Sequence, residues 1–132
     1  MKKEELRIGN LVNQAEDNFI VCVTGIKRQD GGCYVYGNNK ALDYECWYQI
    51  HKYEPIPLTE EWLLKFGFEF VDCSANGVIN NWKRGKFKIW DNKRGEYSYF
   101  GTTEIKYVHK LQNLYYAIMD EELIAAKLED VK

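Results

Sequence analysis

The sequence predicts an α+β fold, and three features carry that prediction. Residues 5–54 alternate short β-branched and aromatic runs with turns of Gly, Asn and Asp, as a strongly bent antiparallel sheet requires. Residues 59–66 read as a short helix whose two ends are specified by their neighbours. Residues 105–119 repeat apolar side chains at helical spacing behind a run of hairpins. The expected architecture is an SH3-like bent sheet, a central helix, a β-meander and a C-terminal helix packed on the meander. Residues 1–54 make a small barrel-like lobe and residues 55–132 an α+β lobe, with one core shared between them.

The first lobe opens with Leu6 and Ile8 among charged neighbours, a Gly9-Asn10 turn, and a strand starting at Leu11-Val12. A glycine and a polar residue before the first barrel strand is the SH3-like touch, a likeness of fold alone. Residues 19–26 are rich in Val, Ile and Thr and form the strongest strand. Gln29-Asp30-Gly31-Gly32 turns the chain back into a strand at 33–36, and Gly37-Asn38-Asn39-Lys40 turns it again. Residues 45–50 are the next strand and lead to the central helix.

Pro55 and Pro57 hold the approach to that helix extended. Thr59 is its N-cap, and Glu60 and Glu61 sit at the positive end of the helix dipole. Leu58 and Leu63 have the spacing of a hydrophobic staple, and Gly67 supplies a left-handed stop. Strands at 68–71, 78–82, 87–90 and 97–100 then form the meander. Trp62, Leu63, Phe66, Leu111, Leu114 and Ile118 are the expected contributors to the core.

With 132 residues, 45% hydrophobic content and a net charge of -2, the chain can fold, and it presents no global positive field toward nucleic acid or anionic membranes. No apolar run reaches the roughly 18 residues of a membrane span, and Met1-Lys2-Lys3-Glu4-Glu5 does not open a signal peptide. The expectation is a soluble, cytoplasmic protein. Cys22, Cys33, Cys46 and Cys73 form no CxxC pair and lie away from His51 and His109, so they read as free thiols acting as small hydrophobes. No cofactor or metal is expected. No phosphate loop, HExxH, EF-hand loop or arguable Ser-His-Asp grouping occurs, and the expectation is a protein without enzymatic activity.

The opening Leu6-Arg7-Ile8-Gly9-Asn10, the central run from Pro57 to Phe68 and the late run from Tyr107 to Ala117 together resemble a family of small uncharacterised proteins. These are encoded by gut-commensal bacteria, their phages and integrated elements. The resemblance implies a setting, a small phage- or prophage-associated protein, and no activity or site residue.

Three groups of side chains are candidate sites. Tyr34, Tyr36, Trp47 and Tyr48 form an aromatic group in the first lobe, and aromatics with a polar handle favour protein interfaces. They point to a protein-interaction module directed at an unidentified protein partner, with a host factor as the candidate; a homodimer is compatible with the same face. The alternative is a nucleic-acid-binding hairpin at residues 82–94, where Lys86, Lys88, Trp90, Lys93 and Arg94 offer cations for phosphates and rings for bases. By the period-two rule only Lys86, Lys88 and Trp90 share a sheet face there. Finally, His109, Gln112 and Asn113 lie on one side of the last helix as a polar face, a candidate for recognition or for a base.

Overall fold

The computed structural model describes residues 2–71, 80–92 and 94–125, apart from the side chain of Lys3. Among the described residues, two antiparallel sheets and two α-helices make the expected α+β fold, with the first sheet curled into a half-barrel. That sheet comprises β1 (Leu11–Gln14), β2 (Phe19–Gln29), β3 (Gly32–Asn39), β4 (Tyr44–Gln49) and β5 (Tyr53–Glu54), in the order β4-β3-β2-β1-β5. A 3-10 turn at Ile50–Lys52 swings the chain from β4 across to β5, which pairs with β1. The β2–β3 hairpin turns on Asp30 and Gly31, both with positive φ (53° and 78°), as a two-residue hairpin of matched twist demands.

The chain was expected to turn at 37–40, but β3 runs on to Asn39 and the turn is a 3-10 segment at Lys40–Leu42. Gly37 is a glycine because of close approach, not because of a bend. A Cβ there would stand 2.9 Å from the Tyr53 hydroxyl and 3.0 Å from Val21 Cγ2. Asn39 ends the strand: its side chain donates to the Ile20 carbonyl (2.7 Å) and accepts from the Leu42 N–H (3.2 Å).

The central helix α1 spans Glu60–Lys65 and follows its sequence signals closely. Thr59 accepts from the Trp62 N–H (3.5 Å). Gly67 has φ +85°, with Gly67 N–H bonded to Leu64 O and Phe68 N–H to Leu63 O, the paired bonds of a Schellman stop. The second sheet follows: β6 (Glu69–Val71), β7 (Asn80–Arg84), β8 (Phe87–Asp91), β9 (Tyr97–Tyr99) and β10 (Thr103–Glu104), paired in sequence order. The expected turn at 74–77 and the start of the strand expected at 78 lie outside the described residues.

The last helix, α2, is Val108–Met119 rather than 105–119. Its three missing residues are held extended by other partners. Ile105 N–H donates to Tyr97 O, Leu58 N–H to Lys106 O, and Val108 N–H to Ile56 O. The proline segment before α1 thus pairs with the approach to α2 and satisfies a donor at its N-terminus.

Two apolar clusters result, where one was expected. On β1 and β2, Val12, Val21 and Val23 face inward and join Leu6, Val35 and Tyr53 in a small core inside the curl. Their neighbours Leu11 and Ile20 point the other way and join α1, the second sheet and α2 in the larger core. The two lobes therefore meet, with the first sheet buried on both faces at β1. Of the expected core residues, Trp62, Leu63, Phe66 and Leu111 are buried and Leu114 packs partly, whereas Ile118 is 43% exposed. The buried stripe of α2 runs through Val108, Leu111, Gln112 and Tyr115, rotated toward the polar residues, and Ile118 is left at its rim in the last turn. Among the described residues no helix is long and apolar enough to cross a membrane.

Candidate functional site

The outer face of the first sheet is covered by the second lobe at β1 and open at β3 and β4. Period-two alternation puts Tyr34 and Tyr36 of β3 and Trp47 of β4 on this open part, with Tyr36 directly opposite Trp47. Their rings are 5.1 Å apart, tilted by 55°. The indole lies over Gly25, where a Cβ would stand 2.9 Å from Trp47 Cη2. The ammonium of Lys27 sits 4.3 Å from the Trp47 ring centre. Tyr34, opposite Lys27, accepts from Gln49 Nε2 (3.4 Å), and Tyr36 donates to Glu45 (3.3 Å). These bonds fix the rings in orientation while Trp47 stays 38% exposed.

Tyr48 does not belong with them. Its side chain points to the other side of β4, edge-on to Tyr53 at 6.5 Å, and packs against the small inner core. The first-lobe tyrosines and tryptophan split by strand parity, with Tyr34, Tyr36 and Trp47 outside and Tyr44, Tyr48 and Tyr53 inside. Lys27 and Gly25 belong to the outer group and were not singled out from sequence. The signal for them is the β2–β3 register, which a hairpin centred on Asp30-Gly31 already implies.

The basic hairpin keeps Lys86 and Lys88 in water. Lys86 and Lys88 are exposed, and Lys88 stands directly opposite Lys83. Trp90 is half-buried against Phe100, edge-on at 5.7 Å, and Arg94 is exposed in the following loop. Lys93 lies outside the described residues. Carboxylates share this face, since Glu69 is opposite Lys83 and Glu104 is opposite Ser98, the partner of Trp90.

The polar face of α2 is turned into the protein instead of out to a partner. Gln112 is buried: its Oε1 accepts from the Leu11 N–H (2.8 Å), and its Nε2 donates to Gly9 O (3.1 Å) and Leu123 O (3.3 Å). Asn113 donates to Glu5 O (2.7 Å) and accepts from Asn10 Nδ2 (2.8 Å). Arg7 spans to Glu122 at 2.8 Å and lies over the Tyr116 ring. His109 is fully buried, with Nε2 3.5 Å from Glu5 Oε2 and neither ring nitrogen in a hydrogen bond. These residues clasp the segment before β1.

Burial pushes the His109 pKa below its ordinary value, against the pull of Glu5. Burial works to raise Glu5, but Lys110 and His109 outweigh it and hold the carboxyl low. A histidine whose folded pKa lies below its unfolded one binds its proton better in the unfolded chain. Its contribution is intact above about pH 6.5 and falls away below it. Glu5 adds a second loss at lower pH, as protonation reaches its depressed folded pKa. Urea midpoints should therefore drop between about pH 7.5 and about pH 5.5, and His109→Gln should flatten that drop. Equal slopes for the two proteins would rule out His109 as the source.

Fold and surface together define a small two-sheet α+β protein whose first sheet presents a fixed aromatic face. Compared with protein-family models, curated proteins and solved structures, the chain matches none.

Proposed function

We propose that the protein is a non-enzymatic interaction module that binds a protein partner through the outer face of its first sheet. The observation that supports this reading is the Tyr36–Trp47 pair, held over Gly25 with Lys27 against it and with Trp47 left in water. Rings whose orientation is already fixed lose little entropy on binding, which is why Trp and Tyr dominate the energetic centres of interfaces. The likeness to small proteins of commensal bacteria and their phages makes a host factor the first partner to seek.

The test is affinity capture from bacterial lysate with the wild-type protein, Trp47→Ala and Trp90→Ala, all three shown to melt alike. A stoichiometric partner that is kept by Trp90→Ala and reduced at least tenfold by Trp47→Ala is the expected result, since a hot-spot tryptophan contributes about 2 kcal/mol or more. Capture unaffected by Trp47→Ala would sink the reading. Binding of a single-stranded oligonucleotide at low salt, lost in Lys88→Ala, would move the function to the hairpin on the second sheet.

A further inference from the structure

A groove with a volume of about 460 Å³ lies where the first sheet meets α2 and the segment beyond it. We infer that this groove binds a medium-chain aliphatic anion, with its chain along the apolar walls and its carboxylate at Lys40. The volume is within the usual range for small-molecule sites, which form preferentially where two structural units meet. The walls are Leu11 and Cys22 from the first sheet, Ala41 from the turn after β3, and Leu123, Ile124 and Ala125 beyond α2.

The other polar side chains in the groove have partners within the protein; Thr24 donates to Tyr36 O (3.4 Å) and Asn38 Nδ2 to Glu45 (2.9 Å). Gln112 spends its amide on Leu11, Gly9 and Leu123. Glu122 is ion-paired with Arg7 at 2.8 Å. The Cys22 thiol is pushed up by burial and by Glu122, so that wall is uncharged. Lys40 is exposed at the rim and forms no ion pair among the described residues. Ile124, 71% exposed, also lines the groove, and an alkyl chain would cover it. Asp43 and Glu45 line an adjoining hollow with Lys40 without an ion pair to it, and an apolar channel with an unpaired cation at its mouth complements an amphiphile with one negative end.

Isothermal titration of the full chain with decanoate, decanol and decyltrimethylammonium reads the proposal directly. Decanoate should bind at one site per chain, decanol at least about tenfold more weakly and the cation not measurably. Lys40→Glu should weaken decanoate at least tenfold while leaving decanol unchanged. Ala41→Trp, a substitution at an exposed position that fills the groove, should abolish both. Trp47→Ala should change none of these, so the result stands apart from the partner-binding face. Absence of one-to-one decanoate binding, or binding indifferent to Lys40→Glu and Ala41→Trp, overturns it.

Discussion

Trp62→Ala should cost about 3–5 kcal/mol and still give a single unfolding transition. Trp62 is 7% exposed, with its ring centre 5.7 Å from that of Phe66. It shares the larger core with Leu11 and Ile20 of the first sheet and Leu111 of α2, and with Ile20 it lines one cleft. Emptying this site removes apolar contact from both sheets at once, and α1 is too short to hold its place without it. The loss is a large part of what a domain of this size possesses. Urea unfolding followed by far-UV circular dichroism and by tryptophan fluorescence checks both halves of the expectation. Two separated transitions, or a midpoint equal to wild type, would show that the lobes are independent or that Trp62 carries little of the core.

The second large effect is expected at a polar residue. Gln112→Ala strips partners from the Leu11 N–H, the Gly9 carbonyl and the Leu123 carbonyl together. Each buried polar group left unsatisfied costs about 1–3 kcal/mol, so a total near 3 kcal/mol is the expected loss. Gln112→Leu should be no better, because it fills the space and satisfies none of the three. Chemical denaturation gives the energy, and faster hydrogen exchange at the Leu11 amide locates it. Wild-type stability in either variant would mean that the clasp between α2 and β1 is not held by this side chain.

Sequence and structure agree best where local chemistry decides the outcome. Helix α1 is specified within the thirteen residues from Pro55 to Gly67 by its prolines, Thr59, the Leu58–Leu63 staple and Gly67, and it forms as read. Strands β5 and β10 were missed because two residues cannot display a period. Gly37 looked like a turn because the reason for it, the Tyr53 hydroxyl above its Cα, comes from another strand. The start of α2 was placed early because Ile105 has helical spacing with Val108 but bonds to Tyr97 instead.

The candidate sites divide along the same line. The aromatic content of the first lobe was plain, but Trp47 and Tyr48 are adjacent, and alternation alone cannot say which of them faces out. The spacing of His109, Gln112 and Asn113 puts them on one side of a helix. Which side is buried depended on a segment about a hundred residues earlier in the chain. The groove beside Lys40 has walls drawn from three distant stretches and left no mark in any one of them.

The clasp also dictates the order in which the molecule can be completed. Its bonds join residues separated by 101 to 115 positions, from Leu11–Gln112 to Arg7–Glu122. A ribosome delivers β1 and β2 long before α2, and until α2 emerges the nascent sheet holds Leu11 and Ile20 against water and the Leu11 amide without its side-chain acceptor. The inner core of valines can close early, since its members all lie within the first 53 residues. The outer face cannot. Synthesis therefore passes through an interval in which a half-finished sheet displays an apolar surface, and contacts this distant in sequence are slow to form. Helix α2 closes this face, and the nascent chain depends on its arrival to be rid of that exposed surface.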